Sequence, residues 1–404
     1  RIMKFKYRIR DKDGRETEGE REATDRFALA RELRAEGQMV ILAQPIQKGI
    51  RSFLGKFTLG SVKMRDKIVF ASNLSAMVSA GLSLSRALSV MARQTANKKF
   101  KAVIEGLEEL LAKGDSLASA LGVYPDIFPP VFTAMVSAGE ESGKLPQSLQ
   151  VVADQLMKSY DLRRKVRGAM IYPAIIIVVI IAIGILMMIF LVPNLTAIFK
   201  ELNAELPLST RSVIGVSDFL SQHTLIFLGG LLAFIIGVIY FFKSSRGKLT
   251  LDYLTTHLPL IKPIVFKVNS AVTMRTLSSL ISSGVGMVEA LSITGRVIQN
   301  HYYNDILAEG GAAVAKGKPL SAVFKLHEKL YPVLVGEMVE VGEETGKLSE
   351  LLLKGALFYE DEVAQATKNL STIIEPLLMV FIGIAVGFFA VSMIGPIYSL
   401  SDAL

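Results

Sequence analysis

GEESGKL at positions 139–145 and GEETGKL at positions 342–348 are identical at six of seven residues and lie 203 positions apart. The same offset aligns LSAMVSAGLSLSRALSVM at 74–91 with LSSLISSGVGMVEALSIT at 277–294. Matches at a single offset across about 120 positions do not arise by chance, so the sequence contains a long internal repeat. The repeat decides the architecture, because the two copies are expected to fold alike.

Three stretches without a charged residue, at 173–192, 224–242 and 376–395, interrupt the polar sequence. A bilayer core about 30 Å thick needs roughly 20 helical residues, so each stretch is long enough to span. A hydrophobic content of 51% fits membrane segments joined by soluble ones. The repeat offset pairs the first stretch with the third and leaves the second without a counterpart.

Lysine and arginine flank these spans asymmetrically. Five lie within 158–167 and three within 243–248, whereas 194–222 carries two and the segment after the third span none. Basic residues favour the cytoplasmic side, so we expect a cytoplasmic N-terminus and an external, periplasmic C-terminus. The two copies then enter the membrane in the same direction, so the chain must cross back between them through the unpaired second span.

Each soluble copy is predicted to be a helical bundle. Apolar residues recur at helical spacing, as at Leu107, Leu110 and Leu111, between breaks at Gly114 and Pro129. The expected fold class is therefore mainly α: a polytopic membrane protein with three transmembrane helices and two repeated cytoplasmic helical bundles.

The first 45 residues have a different pattern. Alternating stretches at 4–10 and 15–23 predict a hairpin, followed by a helix over 27–36 and a strand over 39–43. Together they predict a small N-terminal α+β module. Residues 46–63 carry only basic charges and are interpreted as a flexible linker, or else as a helix on the anionic inner leaflet.

The predicted segments follow in chain order. They are the α+β module at 1–45, a basic amphipathic linker at 46–64, the first bundle at 65–170, a membrane helix at 171–193, an external segment at 194–222, a membrane helix at 223–243, the second bundle at 244–373, a membrane helix at 374–396 and an external tail at 397–404.

The repeated motif resembles a phosphate-binding loop but lacks two of its features. Only three residues separate Gly139 from Gly143 where that loop has four, and a leucine follows Lys144 in place of Ser or Thr. The pattern instead favours a helix ending at Gly143 and a new helix that opens at Pro146.

Adjacent carboxylates leave an alternative open, because they suit hard cations or a protein partner. The candidates for such a cation site are Glu140, Glu141, Glu343 and Glu344. The residues expected to form the structural motif are Gly139, Glu140, Gly143, Gly342, Glu343 and Gly346.

Residues that perform chemistry are scarce. The chain has no Cys and four scattered His, and its three spans contain no Asp, Glu, Lys, Arg or His. This composition excludes thiolate metal sites and offers no intramembrane catalytic pair or proton path. We predict a protein that is not an enzyme and needs no cofactor. A transporter or channel subunit is the alternative class, although it would require a hydrated polar path.

The net charge of +8 would also suit nucleic acid, but the basic residues concentrate near the inner membrane face and before residue 67. We therefore predict contact with membrane lipid and no nucleic-acid partner. Within the third span, Gly383 and Gly387 form a small-xxx-small pair that predicts close helix packing.

Taken together, these residues resemble the inner-membrane platform proteins of type II secretion systems and type IV pili, the general secretion pathway F family. The resemblance covers the N-terminal module, both copies of the Gly-Glu-x-Ser/Thr-Gly-x-Leu motif and Leu206-Pro207-x-x-Thr210 after the first span. It also covers the residues that frame the first and third spans, which are Pro173, Pro193, Glu375, Pro376 and Pro396.

The resemblance implies a non-catalytic scaffold in the bacterial inner membrane. Such a protein would couple a cytoplasmic secretion ATPase to the assembly of pilin or pseudopilin fibres, beside other inner-membrane assembly proteins. It also implies a homo-oligomer. The resemblance does not choose between a pilus and a secretion system, because both use this architecture.

Overall fold

The computed structural model describes residues 3–10, 16–23, 39–45, 61–201, 208–259 and 261–401. The chain forms two compact units. One comprises Arg1–Ser61 with Asn97–Lys99, and the other comprises Val62–Ala96 with Phe100–Leu404.

The first unit contains a three-stranded antiparallel sheet. Its strands are β1 (Met3–Arg10), β2 (Glu16–Ala23) and β3 (Met39–Pro45), arranged in the order β2-β1-β3. The strands agree with the predicted ones to within two residues. The predicted helix over 27–36 and residues 46–60 of the predicted linker lie outside the described residues, so the α+β character of this unit stays a prediction.

The second unit is built from helices. The first repeat contributes α1 (Met64–Ser79), α2 (Leu84–Gln94), α3 (Lys98–Ala112), α4 (Leu117–Gly122), α5 (Pro130–Glu141) and α6 (Leu145–Leu186). A π-helix (Met187–Leu191), α7 (Val192–Glu201), α8 (Leu208–Gln222), α9 (Thr224–Lys243) and α10 (Ser245–His257) follow. The second repeat comprises α11 (Lys262–Ser282), α12 (Met287–Val297), α13 (His301–Ala315), α14 (Leu320–Leu326), α15 (Val333–Thr345) and α16 (Leu348–Ser401).

The repeat predicted from sequence is therefore a repeat of structure. Five of the six helices in the second repeat begin 203 positions after their counterparts, and only α11 begins earlier relative to α1. The mainly α-helical class is confirmed.

Three helical stretches are long and apolar enough to cross a membrane, Leu145–Ile198, Thr224–Lys243 and Leu348–Ser392, which confirms the three predicted spans. The first and third are continuous with the last helix of each bundle, because Pro173 and Pro376 lie inside α6 and α16. A proline removes one helical hydrogen bond, and membrane helices tolerate that loss when neighbouring groups compensate.

A single hydrophobic core runs through both repeats. In the first repeat, four phenylalanines pack with ring centroids 5.1 to 6.3 Å apart, namely Phe70, Phe100, Phe128 and Phe132. Edge and tilted arrangements of this kind add to the stability that burial of the rings provides.

The second repeat has residues with hydroxyl groups at three of the equivalent positions. Thr273, Tyr303 and Tyr331 occupy the positions of Phe70, Phe100 and Phe128. The hydroxyls of Thr273 and Tyr331 are 2.8 Å apart, and both residues are fully buried. The hydrogen bond between them compensates the cost of burying the two hydroxyls.

Tyr331 is expected to make the protein less stable at alkaline pH. Burial raises the pKa of Tyr331 well above its ordinary value near 10. Above pH 10 the unfolded chain loses this proton and the folded chain keeps it, so the free energy of unfolding falls as pH rises. Tyr331→Phe should flatten that fall while costing about 1 kcal/mol at neutral pH through the lost hydrogen bond.

Urea unfolding at pH 8, 10 and 11, followed by circular dichroism, measures this slope. Tyr160→Phe is the matched control, because the Tyr160 ring is exposed. An unchanged slope in Tyr331→Phe would contradict the expectation.

Candidate functional site

The repeated motif forms a tight junction between two helices. In the first repeat, α5 ends at Glu141, Gly143 adopts a left-handed backbone with φ +67°, and α6 begins at Leu145. The second repeat reproduces the turn, with φ +69° at Gly346. A left-handed residue after a helix is the position where glycine is favoured. The predicted helix end and helix start are thus confirmed.

The glutamate of the motif caps a different helix. Glu140 Oε1 and Oε2 accept hydrogen bonds from the backbone N–H groups of Leu117 (2.7 Å) and Ala118 (2.9 Å) at the start of α4. Glu343 accepts bonds of 2.7 and 3.1 Å at the start of α14 in the same way. A carboxylate is favoured there because the first N–H groups of a helix lack intrahelical partners and carry partial positive charge.

The first glycine of the motif allows close approach. A Cβ at Gly342 would lie 2.8 Å from the Cα of Leu348, and one at Gly139 would lie 2.4 Å from Ser148 Oγ. The neighbouring helices complete the junction. Ser75 Oγ donates to the Pro146 carbonyl, and Ser278 Oγ donates to the Ser349 carbonyl, both at 2.8 Å. We call each of these two arrangements a motif junction.

The motif junctions bear on the predicted cation sites. Both oxygens of Glu140 and Glu343 face backbone donors, and Glu141 accepts from Ser137 Oγ at 3.0 Å. Among the described residues, no group of three or more His, Asp and Glu side chains is arranged to hold a metal. The cation site at these glutamates and Glu344 stays a prediction, and the geometry favours the capping role.

Replacing Glu343 with glutamine is expected to lower the free energy of unfolding by about 1–2 kcal/mol, because one backbone donor loses its acceptor and the negative charge is lost. Chemical unfolding in detergent measures this change. Glu344→Gln, at the exposed neighbouring position, is the control and should have little effect. Equal effects of the two substitutions would rule out a special capping role.

Two prolines leave carbonyl groups without helical donors near the ends of the first and third spans. The π-helix directs the Val192 N–H to the Met187 carbonyl, so Pro193, which has no N–H, cannot serve the Met188 carbonyl that comes next. In α16, Pro396 cannot serve the Ser392 carbonyl four residues before it.

Helix α8 supplies both missing donors. Ser217 Oγ donates to the Met188 carbonyl, and Thr210 Oγ1 donates to the Ser392 carbonyl. Thr210 and Ser217 are fully buried and lie two helical turns apart. We call this arrangement the α8 clamp. It ties the first and third spans to one helix in the segment that joins the first span to the second.

The α8 clamp was not predicted, although Thr210 belongs to a motif that carries the family resemblance. A sequence signal for it exists. The two hydroxyls share a helical face with Val213, Ile214 and Leu220, all of which are buried. Hydroxyl residues on the apolar face of a helix often donate to backbone carbonyls.

Gly383 and Gly387 lie on the outer surface of the third span. A Cβ at either position would meet nothing within 4 Å, so these glycines pack against no other helix in the part of the chain that the structure describes. Their predicted role in helix packing stays a prediction.

The second repeat contains a buried ion pair that joins α11 to α16. Arg275 Nη2 donates to Glu360 Oε2 at 2.9 Å, and Nε donates to the other carboxylate oxygen. Arg275 is 8% exposed and the Glu360 side chain 13%. Lys267 and Glu362, 2.6 Å apart, form a second and more exposed pair between the same helices.

Comparison with known proteins gives the same division of the chain. The profile of the family described as "Type II secretion system (T2SS), protein F" matches residues 70–193 and again 273–396, which are offset by the 203 positions of the repeat. The profile of the N-terminal domain of the same family matches residues 3–43.

The chain belongs to the type II secretion system protein F family.

Relatives of this F family that match nearly the whole chain carry names from two related machines. The type IV pilus assembly protein PilC of Thermus thermophilus is 34% identical over 401 residues, covering 99% of this chain and 98% of that protein. PilC of Myxococcus xanthus is 31% identical over 404 residues, covering 99% and 95%. The type II secretion system protein F of Pseudomonas aeruginosa is 28% identical over 402 residues, covering 98% and 98%.

The F family is a family of platform proteins in secretion and pilus assembly and is not a known enzyme family. Membership and the three apolar helices together indicate an inner-membrane protein. The two family matches contain both motif junctions and the carbonyl acceptors of the α8 clamp. Its donors, Thr210 and Ser217, lie between the matches.

Proposed function

We propose that this chain is a non-catalytic inner-membrane platform that couples a cytoplasmic secretion ATPase to the assembly of pilin or pseudopilin fibres. The observation that carries the proposal is the continuity of α6 and α16. Each helix starts at a motif junction inside a bundle and runs without interruption into a span. Displacement of a bundle would therefore move a membrane helix as one rigid rod.

The bundles face the cytoplasm in this proposal. Five basic residues within 158–167 precede the first span and three within 243–248 follow the second, which favours the cytoplasmic side for both bundles. The C-terminus is then periplasmic. The exposed apolar surfaces of the spans, including Gly383 and Gly387, face lipid and the apolar segments of fibre subunits.

The ATPase would act on the bundles from outside, since the motif junctions are helix caps and lack the features of a phosphate-binding loop. The bundles offer packed, rigid surfaces for a cytoplasmic partner. Assembly proteins named for pili and for secretion are both among the relatives, and the coupling mechanism proposed here is common to the two machines.

The coupling is tested by making α6 more flexible where the first bundle meets the membrane. Ala169→Gly with Met170→Gly creates three consecutive glycines with Gly168, and each added glycine costs a helix about 1 kcal/mol relative to alanine. We expect the full chain in lipid nanodiscs to bind its ATPase as before, while fibre assembly in cells falls by about tenfold or more.

The matched control is Ala169→Leu with Met170→Leu, which retains helix propensity at the same two positions. Fibre assembly at the unmodified level in the glycine variant would contradict rigid coupling. Failure of the unmodified chain to bind the ATPase in nanodiscs would overturn the proposed function itself.

A further inference from the structure

The two repeats pack against each other through unlike faces. Helices α5 and α6 of the first repeat contact α11 and α12 of the second. Within this interface, Gln155 Nε2 donates to Thr276 Oγ1 at 3.0 Å, and Ser279 Oγ donates to Gln155 Oε1 at 3.0 Å. The first repeat thus contributes its last two helices, and the second repeat contributes its first two together with α16, which packs along α6.

The faces that are buried here are open on the other repeat. Gln155 is 4% exposed, whereas its counterpart Phe358 is 48% exposed. Val285 is 8% exposed, whereas its counterpart Leu82 is 37% exposed. A two-fold relation between the repeats would bury Phe358 as it buries Gln155, so the repeats are related head to tail.

Within the described residues, each chain therefore has two exposed surfaces that correspond to its internal interface. The head surface lies on α1, α2 and the turn between them and comprises Asn73, Ala76, Leu82 and Arg86. The tail surface lies on α15 and α16 and comprises Leu334, Glu337, Val341 and Phe358.

We propose that the tail surface of one copy packs on the head surface of a second copy, in the arrangement that joins the two repeats within each chain. The internal interface shows how such faces fit, and the same twelve-helix scaffold presents them again at both ends. The occupant of both surfaces is therefore another copy of this chain.

The residues on the two sides of the proposed interface between copies both differ from their counterparts in the internal interface. Inside the chain, Gln155 is held by two hydroxyls, which suits a polar contact. Between copies, the apolar Phe358 replaces Gln155, the smaller Ala76 replaces Ser279, and Asn73 replaces Thr276. Phe358 then lies opposite the methyl group of Ala76, which gives space for the larger side chain.

Two charged residues also differ between the internal interface and the exposed surfaces. Arg86 on the head surface stands where the second repeat has Glu289, and Glu337 on the tail surface stands where the first repeat has Ala134. Helix α5 contacts α12 inside the chain, so α15 would contact α2 of the next copy. Glu337 and Arg86 are thus charges of opposite sign on two helices that would meet, and such charges favour the correct partner.

The membrane limits what a head-to-tail contact can build. A repeated head-to-tail contact gives a closed ring or an open helical filament, depending on the rotation and rise between copies. Each repeat ends in a span, so every copy must stay in one bilayer plane and the rise between copies is excluded. The proposed interface therefore leads to a ring.

The absence of cysteine from the chain provides a direct test. Phe358→Cys and Ala76→Cys are introduced into two full-length chains with different tags, which are co-expressed and treated with a short bis-maleimide in membranes. We expect a cross-link that joins the two tags. Gln155→Cys with Ser279→Cys in one chain is the positive control, because these side chains touch within the chain.

Other outcomes would overturn the proposal. They are cross-links between two Phe358→Cys chains, which would mean a two-fold contact, and no cross-link while the control reacts. Phe358→Asp in the tail chain, with its thiol moved to Val341→Cys, should reduce the cross-linked product by about tenfold or more. Leu326→Asp, exposed and outside the tail surface, should not.

A charge exchange tests the pairing without relying on a thiol. Glu337→Arg and Arg86→Glu should each weaken self-association in detergent, and the double variant should restore it. No restoration would contradict contact between these two residues. Binding of the ATPase is measured on the same variants, so that loss of self-association alone is distinguished from failure of the proposed coupling function.

Discussion

Arg275→Ser is expected to lower the free energy of unfolding by about 3–5 kcal/mol, the largest effect of any single substitution considered for this protein. The change removes one partner of a buried ion pair and leaves the Glu360 carboxylate, whose side chain is only 13% exposed, without its donor. Chemical unfolding in detergent, followed by circular dichroism, measures the loss.

The first repeat shows how to rescue this variant. Its residues at the positions of Arg275 and Glu360 are Ser72 and Met157. Arg275→Ser combined with Glu360→Met copies that uncharged solution and should recover most of the lost stability, because no buried charge is left unpaired. Lys267→Met, which breaks a more exposed pair between the same helices, is the control and should cost about 1 kcal/mol or less.

A double variant no more stable than Arg275→Ser would mean that the stability depends on the arginine stem or on local packing. A small effect of Arg275→Ser alone would mean that water reaches Glu360. Either result would contradict the interpretation that an unpaired buried charge causes the loss of stability.

Thr210→Val with Ser217→Ala is expected to have the second largest effect, a loss of about 2–4 kcal/mol for the two sites together. Each substitution leaves a carbonyl next to a proline without a donor, and an unsatisfied buried group costs about 1–3 kcal/mol. The spans should also separate more easily from α8, which would be seen as faster proteolysis between the first span and α8.

Unfolding by SDS in bicelles measures the stability of this variant. The matched control is Ser221→Ala on the same helix, because Ser221 donates only to carbonyls of its own helix and has little effect on the spans. Equal losses in the control and in either single clamp variant would show that the α8 clamp adds nothing beyond helix propensity.

Much of the fold was predictable because two different sequences, one in each repeat, encode the same helical bundle. Apolar periodicity and the turn glycines of one copy are checked by the other, and five of six helix starts recur at the same offset. The three spans were predictable because a bilayer requires a fixed length of uncharged helix. The helix end at Gly143 was predictable because few residues other than glycine adopt its left-handed backbone.

Other features depend on contacts that no local pattern encodes. The sequence predicted each bundle and the span after it as separate segments framed by prolines, whereas Pro173 and Pro376 lie inside α6 and α16, which run from bundle to span as single helices. The role of Glu140 involves a helix more than twenty residues earlier in the chain, and the adjacent carboxylates suggested a cation instead. The α8 clamp joins residues 182 positions apart.

The sequence by itself determined that this protein has two like-folded bundles, three spans and few residues capable of chemistry. These properties follow from periodicity, length and composition, which act locally along the chain. Only the tertiary structure decided that the bundles meet through residues that are not equivalent in the repeat, so that Phe358 is exposed where Gln155 is buried. Only the tertiary structure decided, too, that α8 donates to both carbonyls that the prolines leave without a helical donor. These properties depend on which surfaces exclude water from each other, and two equivalent positions in a repeat can differ in that respect while sharing the same local structure.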